Sequence, residues 1–82
     1  MALVLIPSLL AAQAGGQGRF EVEAGTLGEA LQALPIADLL FDERGDLRPL
    51  VNPFVDKSLE RDLSTPLRAD SEVRVVAAVA GG

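Results

Sequence analysis

Thr26 to Leu34 carries the one long helical signature in this chain, and the segments on either side follow a different period. Thr26-Leu27-Gly28-Glu29 has the form of a capping box. In that arrangement the Thr hydroxyl accepts from the backbone N–H three residues on, and the Glu carboxylate reaches back to the start of the helix. Leu27, Ala30, Leu31 and Leu34 follow at i, i+3, i+4 and i+7, which places them on one stripe facing a core. Pro35 lacks a backbone donor and ends or kinks the helix, and Ile36, Leu39 and Leu40 are expected to form a further turn against the core.

Before the helix, Ala2 to Ile6 is continuously apolar, as expected of a strand covered on both faces, and Pro7 and Ser8 close it. Leu9 and Leu10 anchor a loop, and Gly15-Gly16-Gln17-Gly18 is a turn. From Arg19 to Glu23 charged and apolar residues alternate, with Phe20 and Val22 inward; this strand and the first make a hairpin. After the helix, Asp42-Glu43-Arg44-Gly45 is a polar turn. Arg48 to Asp56 reads as extended, with Leu50, Val51, Phe54 and Val55 available for burial. Pro53 cannot donate to a ladder, which predicts a sheet edge or a bulge there. Lys57 to Asp70 is a charged loop in which Leu59, Leu63 and Leu67 can tuck inward. Glu72 to Val76 alternates again, with Val73 and Val75 toward the core. A hairpin under one main helix, with a last strand beside the first, is an α+β arrangement with one covered sheet face. The expected architecture is a β-grasp, ubiquitin-like, with a mixed sheet of about four to five strands. Residues 1–76 form the domain and 77–82 a flexible C-terminal tail, Ala77-Ala78-Val79-Ala80-Gly81-Gly82.

Composition narrows the function. The 82 residues suffice for one domain, and the formal net charge of −5 lacks the basic stripe that nucleic acid requires. The chain has no His, Cys, Tyr or Trp. It is therefore without the usual general acid–base group, the thiol nucleophile and the best metal ligands, so an enzyme is not expected. The carboxylates Glu21, Glu23 and Glu29, and Asp42, Glu43 and Asp46, read as solvated faces rather than a cation site. Gly15-Gly16 lacks the Lys-Ser/Thr and helix of a phosphate loop and is a hairpin turn. Met1 to Ala14 ends Ala12-Gln13-Ala14, in the manner of a signal peptide. No Lys or Arg precedes the apolar run, however, and Pro7 interrupts it, so a buried strand is the expectation. No stretch approaches the roughly 20 apolar residues of a membrane span. A cytoplasmic protein is expected.

Four stretches together resemble the ubiquitin-like sulfur carriers, the family of the molybdopterin synthase small subunit and the thiamine sulfur carrier. They are Ile6-Pro7-Ser8 leading to Gly15-Gly16-Gln17, Gly25 through Leu31, Leu47-Arg48-Pro49-Leu50-Val51-Asn52, and Thr65-Pro66-Leu67 through Glu72-Val73 to Gly81-Gly82. The likeness looks closest to the branch that supplies sulfur for cysteine or for thiocarboxylate-containing metabolites. There are departures: a shorter stretch before Leu47, Ala11 where an Arg is common, Pro53 for a β-branched residue, and Asp56-Lys57 for an Asn-Gly turn. They bear on partner identity more than on activity.

The resemblance implies that a ubiquitin-activating-type adenylyltransferase uses ATP to adenylate the Gly82 carboxylate. A sulfur donor, sulfide or a sulfurtransferase, then converts it to a thiocarboxylate that an acceptor biosynthetic enzyme consumes. No bound cofactor or metal is implied, and a metallopeptidase that trims the C-terminus is a further partner. Ala78, Val79, Ala80 and Gly81 would thread the partner's active site, because slim residues and residues without a Cβ pass a narrow tunnel. Phe54, Leu59 and Val76 are candidates for a docking patch on the open sheet face, against the alternatives of core or scattered exposure. Two other functions stay open. One is a protein modifier joined to target lysines through Gly82; the other is a small subunit whose tail stays inserted in a larger catalytic protein, as in molybdopterin synthase.

Overall fold

The computed structural model describes residues 1–77. Strand β1 (Ala2–Leu5) leads into a short helix α1 (Ser8–Ala11) with a 3-10 turn over Ala12–Ala14, and then into β2 (Arg19–Val22). Helices α2 (Leu27–Gln32) and α3 (Ala37–Leu40) follow, then β3 (Val51–Val55), β4 (Ser58–Leu59) and β5 (Glu72–Ala77). The five strands lie in one sheet in the order β2-β1-β5-β3-β4. β1 runs antiparallel to β2 and parallel to β5, and β3 is antiparallel to both β5 and β4. This is the mixed β-grasp sheet expected from the sequence, with the helices on one face.

The capping box forms. The Glu29 backbone N–H donates to Thr26 Oγ1 at 3.3 Å, and the Thr26 hydroxyl donates to Glu29 Oε1 at 3.2 Å. Leu27, Ala30, Leu31 and Leu34 are all buried, together with Ile36 and Leu40. They pack on Val4, Val51, Val55, Val73 and Val75 from the sheet.

Several expectations are corrected. The segment after Pro7 is a helical turn rather than a loop: the Leu10 and Ala11 N–H groups donate to the Pro7 carbonyl. Leu10 is buried and Leu9 exposed. β1 is not covered on both faces, since Ala2 and Val4 are buried while Leu3 and Leu5 are half-buried on the opposite face. Leu39, Leu50 and Leu59 stay exposed, because each points away from the α2–sheet interface that the other apolar residues fill.

Pro53 is neither at the sheet edge nor at a bulge, since its pairing with Val75 falls inside an unbroken register. Its carbonyl accepts from the Glu60 N–H at 3.0 Å, so its backbone faces the β4 side. The missing donor therefore takes nothing from the β3–β5 ladder. It points where β4 is only two residues long and pairs only with Phe54 and Val55.

Candidate functional site

β5 is the third strand of the five, and it outruns β1 at the end where the chain leaves the sheet. The last β1–β5 pair is Leu5 with Arg74, whereas β3 accompanies β5 as far as the pair Val51–Ala77. Ala77, the last described residue of β5, therefore has β3 on one side and lies beyond the end of the β1 pairing on the other. Gly82, Gly81, Ala80, Val79 and Ala78, the residues expected to carry and thread the activated group, lie outside the described residues. Ala77, placed by sequence at the start of the tail, belongs to β5.

The three residues expected in a docking patch share the open face of the sheet. Phe54 stands opposite both Leu59 and Arg74, and Val76 stands opposite Asn52, the neighbour of Phe54 two positions back on the same face. Leu59 is 51% exposed and Val76 44%, while Phe54 is half-buried. Phe54 and Val76 line a shallow groove of about 320 Å³ with Lys57, Glu72 and Arg74; Leu59 stands outside it. An exposed ion pair, Arg74 to Glu72 at 3.4 Å, belongs to its lining, and pairs of this kind contribute little to stability. Sequence reading missed Lys57 and Arg74 here. The alternation of Glu72, Arg74 and Val76 opposite Val73 and Val75 was the available signal for Arg74.

Lys57 reaches the groove through an unusual turn. Asp56 and Lys57 take positive φ of 48° and 74°, the left-handed pair of a tight hairpin turn in which Asn-Gly is favoured. The Asp56 side chain helps hold it, accepting from the Glu72 N–H at 3.0 Å.

The acidic loop after α3 is organised by its own backbone. Asp42 Oδ1 accepts from the Arg44 N–H at 2.9 Å and from the Asp46 N–H at 3.0 Å. The Asp46 N–H hydrogen bond, aided by the Arg44 N–H and the nearby Arg44 and Arg48 charges, holds the Asp42 carboxyl below its ordinary value, although desolvation opposes it more than any one of the Arg44 and Arg48 contributions assists it. Asp62 is lowered in the same direction, first by the Ser64 hydroxyl and then by the Ser64 N–H. Among the described residues no three His, Cys, Asp or Glu side chains converge in a group that could hold a metal ion. No helix among them is long and apolar enough to cross a membrane.

The sequence matches no family model and no curated protein. Similarity appears in three dimensions. The fold is that of a ubiquitin-like β-grasp protein, and solved structures share it. CysO of Mycobacterium tuberculosis, an antigen, superposes with a TM-score of 0.85 at 28% identity, over 96% of this chain and 100% of that one. Small archaeal modifier protein 1 of Haloferax volcanii gives 0.79 at 26% identity, over 99% of this chain and 98% of that one. A chain of the Amycolatopsis orientalis BexX/CysO complex shares the fold, with a TM-score of 0.82 at 21% identity and full coverage of both chains.

Proposed function

We propose that this protein is a sulfur carrier that holds its cargo as a thiocarboxylate on Gly82. The observation that supports it most is the central strand β5, which outruns β1 and leads directly into Ala78-Val79-Ala80-Gly81-Gly82. The likeness to CysO and to small archaeal modifier protein 1 supports the same class. A carboxylate is a poor electrophile. In the proposed cycle a Gly82 carboxylate oxygen attacks the α-phosphorus of ATP on a ubiquitin-activating-type adenylyltransferase, and pyrophosphate leaves. Sulfide then attacks the acyl carbonyl, AMP leaves, and a thiocarboxylate results. Where the donor is a persulfide-bearing sulfurtransferase, its outer sulfur displaces AMP to form an acyl disulfide, and a second thiol of the sulfurtransferase cleaves the S–S bond, releasing the thiocarboxylate and leaving a disulfide on the sulfurtransferase.

The carrier contributes no acid or base of its own to these steps, consistent with a chain that lacks His and Cys. It is a protein co-substrate rather than an enzyme, working in the cytoplasm and handing sulfur to a biosynthetic enzyme. The open-face residues Phe54, Leu59 and Val76 dock it on the adenylyltransferase. Where a precursor extends past Gly82, a metallopeptidase trims it. Gly82→Ala should leave the fold intact and abolish adenylation, because a Cβ at the reacting carbonyl obstructs a narrow tunnel. Equal adenylation of variant and wild type would contradict the proposal.

A second reading is a protein modifier joined to target lysines through Gly82. The likeness to small archaeal modifier protein 1 favours it. Isopeptide-linked conjugates ending in Gly81-Gly82, recovered from cells, would support this reading over the first.

A further inference from the structure

The open sheet face is not the only apolar surface near the root of the C-terminal segment. On the helix side, Leu10, Leu39, Pro49, Leu50, Val51 and Ala77 border a groove of about 340 Å³. Ala77 is the last described residue of β5 and forms part of its wall, so the chain leaves the domain at the groove itself. Leu39 is 39% exposed and Leu50 44%, although the core beside them is closed. Both leave part of the side chain to solvent around one groove, and clustered exposed apolar residues mark a surface that a partner can cover.

We infer that this groove seats the entrance rim of the adenylating enzyme, and that the seated element is an apolar projection with basic side chains beside it. The inference rests on the sulfur-carrier reading and adds a second contact surface to it. The argument is one of reach. Five residues separate Ala77 from the reacting carbonyl, a span of at most about 17 Å when fully extended. An enzyme that holds Gly82 in its active site must therefore bring the mouth of its tunnel against the place where β5 ends, and the groove occupies that place. Its occupant meets leucines, which fixes its apolar character.

The outer rim fixes the charge. Asp42 and Arg48 border the groove, and Asp38, Glu43 and Arg44 stand next to them around neighbouring depressions, three carboxylates against two guanidinium groups. The rim thus carries more acid than base, and the chain as a whole has a net charge of −5. Complementary cations on the partner speed encounter and fix its orientation.

Steady-state adenylation with the cognate ubiquitin-activating-type enzyme, followed by ATP–pyrophosphate exchange as the concentration of this chain is varied, tests the assignment. Leu39→Ser and Leu50→Ser should each raise KM for the chain about tenfold with kcat nearly unchanged, as loss of an apolar contact made before chemistry does. Leu50→Lys, which sets a cation against the basic flank, should raise KM further. Leu9→Ser removes a leucine that is 61% exposed and outside the groove, and it should leave KM unaltered. Circular dichroism melting confirms that each variant is folded. If the wild-type chain is adenylated and all three groove variants share its KM, the groove assignment is wrong and the sulfur-carrier reading stands. If the wild-type chain is not adenylated, both fall.

Discussion

The guanidinium of Arg61 donates to the main-chain carbonyl of Val51, on the β4 side of β3 where the two-residue β4 does not extend. The same group donates to Asn52 Oδ1 at 3.0 Å and to the Arg48 carbonyl at 3.1 Å. One side chain thus stands in for the strand residues that β4 lacks, and it ties the loop after β4 to the segment that enters β3. That segment holds Pro49 and Leu50 at the pole where β5 ends.

Arg61→Ala should cost about 1–2 kcal/mol of stability in urea denaturation, because charge-assisted bonds to two carbonyls and an amide are lost at a partly solvated site. Arg61→Lys should recover only part of the loss, since an ammonium cannot span these acceptors as a planar fork does. A midpoint equal to wild type for the Ala variant would show that water replaces the guanidinium at no cost.

Thr26→Ala removes the N-cap of α2, the helix whose Leu27 and Leu31 are fully buried in the core. The expected loss is about 1 kcal/mol. Thr26→Ser should stay close to wild type, as measured by the same unfolding curves.

Gly28 is the second residue of α2, and in a helix replacement of Gly by Ala ordinarily stabilises, by up to about 1 kcal/mol in the interior. Here a Cβ would meet the Leu63 carbonyl oxygen at 3.1 Å and the Leu63 Cβ at 3.2 Å. That carbonyl is also the acceptor of the Gly28 N–H at 2.9 Å and is not free to retreat. Gly28→Ala should therefore lower the melting temperature; a rise would mean that the loop around Leu63 yields.

Lys57→Gly should act in the opposite direction. Lys57 holds φ at 74°, a conformation that an L side chain disfavours by roughly 1 kcal/mol and Gly adopts freely. A gain of at most about 0.5 kcal/mol is expected after the larger entropy of the unfolded chain is subtracted. An unchanged or lower stability would assign the Lys57 side chain a compensating contact.

The acid limb of the stability curve should depend on Asp42 and Asp62. Both carboxyls titrate lower in the folded chain than in the unfolded one, chiefly through the Asp46 N–H and the Ser64 hydroxyl respectively. As pH falls through that range the unfolded state binds more protons, so their contribution, complete above the unfolded carboxylate value, is lost. Asp42→Asn and Asp62→Asn should each flatten the decline in melting temperature below about pH 4. A slope identical to wild type in both variants would contradict the assignment.

Much of the fold was legible because local signals agreed with one another. The Thr26–Glu29 box, the Leu27/Ala30/Leu31/Leu34 stripe and the alternation from Glu72 to Val76 each name one element and one buried face, and the structure uses all three. Short-range signals failed where tertiary context decides. Ala2 to Leu5 is apolar throughout, so its sequence cannot distinguish a core face from a face that forms the floor of an open sheet. Leu9 to Ala14 has too few residues to display a helical period, and the turn there is held by the Pro7 carbonyl. β4 is two residues long and has no pattern at all.

The candidate surfaces were partly legible. The alternation from Glu72 placed Val76 on the open face, whereas Phe54 lies in a stretch that shows no alternation, with Val51 and Val55 equally apolar, and only the β3 register puts it there. The helix-side groove was not legible: Leu10, Leu39 and Leu50 come from three separate elements and meet only through the packing of α1 and α3 on the end of β3.

The mass of the C-terminal peptide reports directly whether sulfur replaces an oxygen of the Gly82 carboxylate. The chain should be incubated with ATP, the cognate adenylating enzyme and sulfide, then cleaved after Arg74 and weighed. The account predicts a peptide ending at Gly82 that is heavier by the difference between sulfur and oxygen, only when ATP is present and only in chains that retain Gly82. A peptide that keeps both carboxylate oxygens, despite an enzyme that adenylates it, would contradict the account.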